Sequence, residues 1–115
     1  MQNKIYNKME VIENKYGHIL INFNRIKPFY NICKVTGKRQ LVNIKIDYIP
    51  DKYLIEIGSY RKYFKKEFNM YIEEICSSVS DLINELVKPK YLSVTVYLEG
   101  NISLTDWSVT KITNN

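Results

Sequence analysis

From Val42 to Tyr48 the chain alternates: Val42, Ile44, Ile46 and Tyr48 are interleaved with Asn43, Lys45 and Asp47. A period of two is that of a strand with one buried face. A shorter alternation, Ile19, Ile21 and Phe23 against Leu20 and Asn22, predicts an earlier strand over 18–24. Between the two, Pro28 and the Thr36-Gly37 pair bound a segment, 25–40, that reads as a loop. Connections of that length inside a compact domain are usually functional or disordered. Residues 1–15 mix charge with scattered apolar groups and read as an irregular arm.

Beyond Tyr48, Pro50-Asp51 turns the chain and 53–57 is a short β-rich run. A helix is expected after Gly58, with Ser59 as its N-cap. Tyr60, Tyr63, Phe64 and Phe68 recur at helical spacing, and Arg61, Lys62, Lys65 and Lys66 fall on the other face. A second helix is marked by Ile72, Ile75, Cys76, Val79, Leu82, Ile83, Leu86 and Val87 at a 3.6-residue period, with Pro89 closing it. Tyr91–Leu98 again alternates, Gly100-Asn101 turns, and 102–112 is a last strand whose pattern slips at Asp106-Trp107, as at a bulge. Strands, two helices, then strands pack most simply as an antiparallel sheet with both helices on one face. The expected organisation is one α+β domain over 1–115.

Composition narrows the setting. No apolar run has the length of a membrane span, and the polar start Met1-Gln2-Asn3-Lys4 does not look like a signal peptide. Two cysteines, Cys33 and Cys76, give no disulfide framework, and a reducing cytosol is expected. The net charge of +5 favours polyanionic partners such as nucleic acid.

The two thiols read differently. Cys76 lies on the apolar stripe of the second helix and reads as a small core residue. Cys33 sits in the loop "FYNICKVTG", with Arg25, Lys27, Lys34, Lys38 and Arg39 near it in sequence. Neighbouring positive charge favours the thiolate, the nucleophilic form. His18, the single histidine, heads a strand on its polar side and makes no Cys-His pairing legible. No Cys-x-x-Cys, His-x-x-x-His or glycine-rich phosphate loop is present, so spacing identifies no metal or nucleotide site.

The Cys33 loop and the chain downstream of it resemble the QueF family of tunnelling-fold (T-fold) enzymes, which act on the nitrile of 7-cyano-7-deazaguanine. The resemblance is carried by Cys33-Lys34-Val35-Thr36-Gly37, the strand end Tyr48-Ile49-Pro50, the opening Met9-Glu10-Val11-Ile12-Glu13-Asn14, the helix start Tyr71-Ile72-Glu73, and Pro89-Lys90-Tyr91. It implies a ββααββ T-fold whose subunits join sheets into an oligomeric barrel, with active sites between neighbours. By the same resemblance Cys33 is the nucleophile that adds to the nitrile carbon to give a thioimide. Glu73 is implied to hold the deazaguanine ring through paired N–H bonds. Three positions depart from the family pattern. Gln40 stands where the reductase has an Asp seven residues after the cysteine, Ile72 stands in place of a His, and Gly58 replaces the first lysine of a Glu-Ser-Lys-Ser-x-Lys cofactor segment.

The branch this resembles most is the QueF-like amidinotransferase, in which ammonia, not hydride, resolves the thioimide on tRNA carrying the cyano base. It implies no resident cofactor, ammonia as co-substrate, tRNA as partner, a homo-oligomeric ring and no membrane. Substrate contact is implied for Glu73 and Gln40, and phosphate contact for Arg61, Lys62, Lys65 and Lys66. Two other readings stand beside it: an NADPH-dependent nitrile reductase, and a catalytically inactive T-fold module that binds deazaguanine or tRNA.

Overall fold

The long alternating strand organises the fold. The computed structural model describes residues 8–99 and 108–115. Val42, Ile44, Ile46 and Tyr48 are all fully buried along one face of β4 (Arg39–Ile49). Burial of each such side chain contributes about 1.5–3 kcal/mol, so this face alone is a large part of the core. Ahead of it come β1 (Val11–Glu13), β2 (Ile21–Phe23) and β3 (Phe29–Ile32); after it come β5 (Tyr53–Ile55), helices α1 (Ile57–Tyr63) and α2 (Ile72–Val87), then β6 (Tyr91–Leu98) and β7 (Ser108–Asn114). The main sheet runs β2-β4-β6-β7, with β3 pairing β4 beside β2, and every pairing is antiparallel.

β2 and β3 occupy successive halves of one edge of β4: Ile21–Phe23 lie against Ile46–Tyr48, and Phe29–Ile32 against Arg39–Val42. Asn43 fills the gap between them. Its carbonyl oxygen accepts from the Ile26 backbone at 3.0 Å, and its amide donates to the Ile26 carbonyl at 2.9 Å and to Glu99 at 2.7 Å. A buried side-chain amide thus supplies the two partners that the sheet cannot offer Ile26.

Both helices cover the same face. Tyr60 and Phe64 at α1 stack on Phe23 and Phe29, with ring centroids 4.9 and 5.1 Å apart. On α2, the buried Ile75, Cys76, Val79, Ile83 and Val87 pack toward β6 and β7. The Cys76 thiol donates to the Val94 carbonyl at 3.3 Å, which confirms its structural role. α2 ends at Lys88, which adopts the left-handed conformation before Pro89.

The structure corrects the sequence reading in four places. The expected loop over 25–40 contains β3 and the start of β4, so the chain there is a hairpin with a short turn. The expected arm includes β1, which pairs with β5, and Met9 is buried. The N-cap of α1 is Glu56, not Ser59. Its carboxylate accepts from the backbone N–H groups of Gly58 and Ser59 at 2.8 and 2.7 Å. Ser59 is buried instead, its hydroxyl accepting from Glu10 N–H at 2.8 Å and donating to the Glu56 carbonyl. Finally, α1 stops at Tyr63, and Phe68 reaches the aromatic cluster from the following segment. The Gly100-Asn101 turn and the Asp106-Trp107 bulge lie outside the described residues.

Candidate active site

The site begins with the turn that joins β3 to β4. Gly37 N–H donates to the Cys33 carbonyl at 2.8 Å and Cys33 N–H to the Lys38 carbonyl at 2.9 Å. Gly37 takes φ +72°, a conformation costly for any residue with a Cβ, which explains the glycine after Thr36. This closure leaves Cys33 half-buried at the hairpin tip, with a free thiol that makes no disulfide to Cys76.

The sulfur's environment lowers its pKa. The Thr36 hydroxyl contributes most, followed by the backbone N–H groups of Thr36 and Val35, all of which favour the thiolate. The expectation that neighbouring cations do this is corrected. Arg25 pairs with Glu99, Arg39 with Glu67 at 3.0 Å, and Lys34 with Glu74 at 3.4 Å. Their charges are turned to carboxylates, and the shift comes from hydrogen bonds within the turn.

The turn is fastened to the start of α2. Asn31, fully buried, donates to the Met70 carbonyl at 2.9 Å and accepts from Met70 N–H at 3.0 Å. Its second amide hydrogen goes to Gln40 Oε1 at 2.9 Å. Ile32 N–H donates to the Phe68 carbonyl and Phe68 N–H to the Tyr30 carbonyl, so 68–70 is held along β3. At the helix entry, Glu74 accepts from Tyr71 N–H at 2.8 Å, and the Lys34 ammonium lies 5.2 Å from the Tyr71 ring centre. The Tyr71 N–H, and then Lys34, hold the Glu74 carboxyl below its usual range. Glu73, one residue earlier, points to solvent from the first turn of α2. One chain therefore brings the Cys33 turn and the helix start that bears Glu73 into a single rigid corner.

Gln40 and Ile72 acquire physical meaning here. Gln40 spends its carbonyl oxygen on Asn31, which leaves its amide N–H groups as donors; it can orient a ligand but cannot exchange a proton. Ile72 is buried in the core, whereas Glu73 beside it is exposed. Arg61, Lys62, Lys65 and Lys66 do not join the corner. They line a groove with Lys27 and Arg39 that Cys33 and Glu73 do not line. Sequence reasoning missed Asn31 altogether. Its only signal is a polar residue sharing the strand face of Phe29, legible once 29–32 is known to be a strand. Among the described residues no group of three or more His, Cys, Asp or Glu side chains is placed to hold a metal.

No protein-family model matches the chain. The NADPH-dependent 7-cyano-7-deazaguanine reductase of Aquifex aeolicus is 30% identical over 116 residues, covering 82% of this chain and 90% of that protein. The chain belongs to the QueF family. The same-named reductase of Chlorobium phaeobacteroides is 28% identical over 101 residues, covering 85% of this chain and 86% of its own. Among solved structures, the archaeosine synthase QueF-Like in its apo form superposes with a TM-score of 0.71, covering 89% of this chain and 98% of that one at 15% identity. That likeness shows the T-fold: an antiparallel sheet with two helices on one face, as the QueF resemblance implies. Among the described residues no helix is long and apolar enough to cross a membrane.

The reductases' cofactor raises a question of fit. The QueF cofactor segment corresponds here to Glu56–Arg61, and its first lysine is Gly58. A Cβ at Gly58 would come within 3.1 and 3.2 Å of the two Glu56 carboxylate oxygens that cap α1. A side chain there would crowd the cap, and a phosphate-pairing cation is missing at this position. The segment keeps the pattern's Glu56, Ser59 and a closing cation, Arg61, and departs from it at the first lysine.

Proposed function

We propose that this chain is an amidinotransferase of the QueF-like kind, acting on the nitrile of 7-cyano-7-deazaguanine carried in tRNA. The observation that carries the reading is the Cys33 thiol, acidified by Thr36 and clamped through Asn31 beside the helix that bears Glu73. A thiolate adds readily to an electrophilic nitrile carbon. The C–S bond forms, one C–N π bond breaks, and a proton reaches nitrogen, giving the thioimide. Ammonia then adds to the same carbon, the C–S bond breaks, and the thiolate leaves as the amidine forms. No electrons are exchanged with a cofactor. Glu73 supplies a carboxylate for the ring N–H donors, in a solvent-facing position a base can reach. Gln40, a donor and not an acid, suits a role in holding the base. With Ile72 in the core, water carries the protons.

Gly58 favours amidine formation over reduction. The names of the curated relatives favour the second reading, an NADPH-dependent nitrile reductase. A homo-oligomeric ring, with neighbouring subunits completing each site, accords with the T-fold and the small monomer. The deciding experiment supplies cyano-modified tRNA with ammonium and analyses the released nucleosides by mass, in parallel with NADPH oxidation on the free base. Amidine without NADPH consumption is expected; NADPH consumption with aminomethyl product selects the reductase. Binding without turnover in either arm selects the inactive module.

A further inference from the structure

A groove of about 740 Å³ lies between the edge strand β3 and the α1 segment, and neither Cys33 nor Glu73 lines it. Its walls carry six cations from four separate stretches of chain: Lys27 before β3, Arg39 at the start of β4, Arg61 and Lys62 on α1, and Lys65 and Lys66 after it. All six are exposed. Glu67 is the one carboxylate in the lining, and it is engaged by Arg39. Among the described residues the other five make no ion pair. Five unpaired like charges at one surface repel each other, and nothing in the core requires them there. A polyanion relieves that repulsion.

The groove's ends give it a direction. Arg39 pairs with Ile32 across the β3–β4 ladder, and Ile32 immediately precedes Cys33. The Arg39 guanidinium also stacks on the exposed Tyr30 ring, 3.8 Å from its centre. At the middle, the Lys66 ammonium sits over Tyr63 and Phe68, 4.2 and 5.0 Å from their centres, where partial burial lowers its pKa. Charge therefore runs from α1 to the root of the turn that presents the thiol.

We propose that this groove seats the phosphodiester backbone of the polynucleotide substrate and so delivers one base to Cys33. The inference rests on the proposed reading that the substrate base is held in a polynucleotide. Six cations line the groove, five of them unpaired, more than the few phosphates of a dinucleotide require and in keeping with a backbone that carries one charge per nucleotide. Such contacts position the strand without reading sequence.

The test measures binding of unmodified tRNA by fluorescence anisotropy across a salt series. The variant Arg61→Gln/Lys65→Gln removes two groove charges. The control Lys52→Gln/Lys90→Gln removes two exposed charges at the far end of β4. Loss of two phosphate contacts is expected to reduce the slope of log K against log salt by about two and to weaken binding about tenfold or more, in the groove variant only. Equal losses in both variants, or no loss in the groove variant, overturn the proposal. NADPH binding that depends on Arg61 and Lys65 while tRNA binding does not overturns it as well. A thioimide assay with free 7-cyano-7-deazaguanine keeps the two levels apart. The groove variant is expected to form the adduct at the wild-type rate, and failure of wild type itself to form it counts against the Cys33 chemistry while leaving the tRNA measurement interpretable.

Discussion

Asn31 and Met70 close a two-bond ring: the buried side-chain amide of one gives and receives a hydrogen bond with the backbone of the other. Met70 N–H requires the Asn31 oxygen, and the Met70 carbonyl requires the nitrogen, so the amide orientation is unambiguous. This ring joins the strand that leads into Cys33 to the segment that leads into α2. In Asn31→Ala both Met70 groups lose their partner at a buried site. The expected cost is about 2–6 kcal/mol, from two unsatisfied groups at about 1–3 kcal/mol each. Urea denaturation measures it. Thioimide formation is expected to slow beyond what the lost folded fraction explains.

Acidification of Cys33 through Thr36 predicts a particular pH profile. An ordinary cysteine thiol ionises near pH 8.5, to which alkylation rates report directly. With the Cys33 pKa lowered, alkylation by iodoacetamide is expected to rise with pH and level off below that value. In Thr36→Val the largest contribution is lost, and the midpoint is expected to move up toward the ordinary range. Cys76 has its pKa raised by burial and is expected to label only on unfolding. A midpoint unmoved by Thr36→Val contradicts the assignment.

Adjacent carboxylates at α2 are expected to separate cleanly. Glu74 caps the helix, so Glu74→Ala is expected to cost about 1 kcal/mol of stability. Glu73 is exposed, and Glu73→Ala is expected to change stability by less than about 0.5 kcal/mol. Its effect falls on the ligand instead: loss of charge-assisted bonds at about 1.5–3 kcal/mol weakens 7-cyano-7-deazaguanine binding about 10- to 150-fold. Calorimetric titration beside thermal melts separates the two residues.

The burial of Ile72 carries a converse prediction. Ile72→His, which restores the family residue, is expected to destabilise by about 2–4 kcal/mol, because an imidazole enters an apolar site without a partner. A melt decides it. A stable variant with faster turnover shows instead that position 72 can reach the substrate.

How much of this is legible in the chain depends on whether a single short range of residues carries the signal. β4, β6 and α2 announce themselves because their periods are long and uninterrupted, and the strands are observed over Arg39–Ile49 and Tyr91–Leu98. β3 is hidden. It has four residues, a proline just before it, and Asn31 on its buried face, so alternation of apolar and polar character fails there. Ser59 misleads as a cap because the helix starts earlier than the pattern suggests: Glu56, three residues before it, accepts from the N–H groups of Gly58 and of Ser59 itself. Cys33 stands out from its place beside Thr36-Gly37. The source of its acidity does not, because three of the cations near it in sequence, Arg25, Lys34 and Arg39, are drawn to carboxylates remote along the chain, Glu99, Glu74 and Glu67. The groove is half visible as a charged helix face. Lys27 and Arg39 join it only once β3 folds back on β4.

The central claim is tested most directly by the intact mass of the protein after incubation with 7-cyano-7-deazaguanine, beside Cys33→Ala. A covalent gain of one ligand mass is expected in the wild-type chain, absent from the variant and mapped to Cys33 by peptide analysis. Tight binding with no mass gain, or an adduct that persists in Cys33→Ala, contradicts the account.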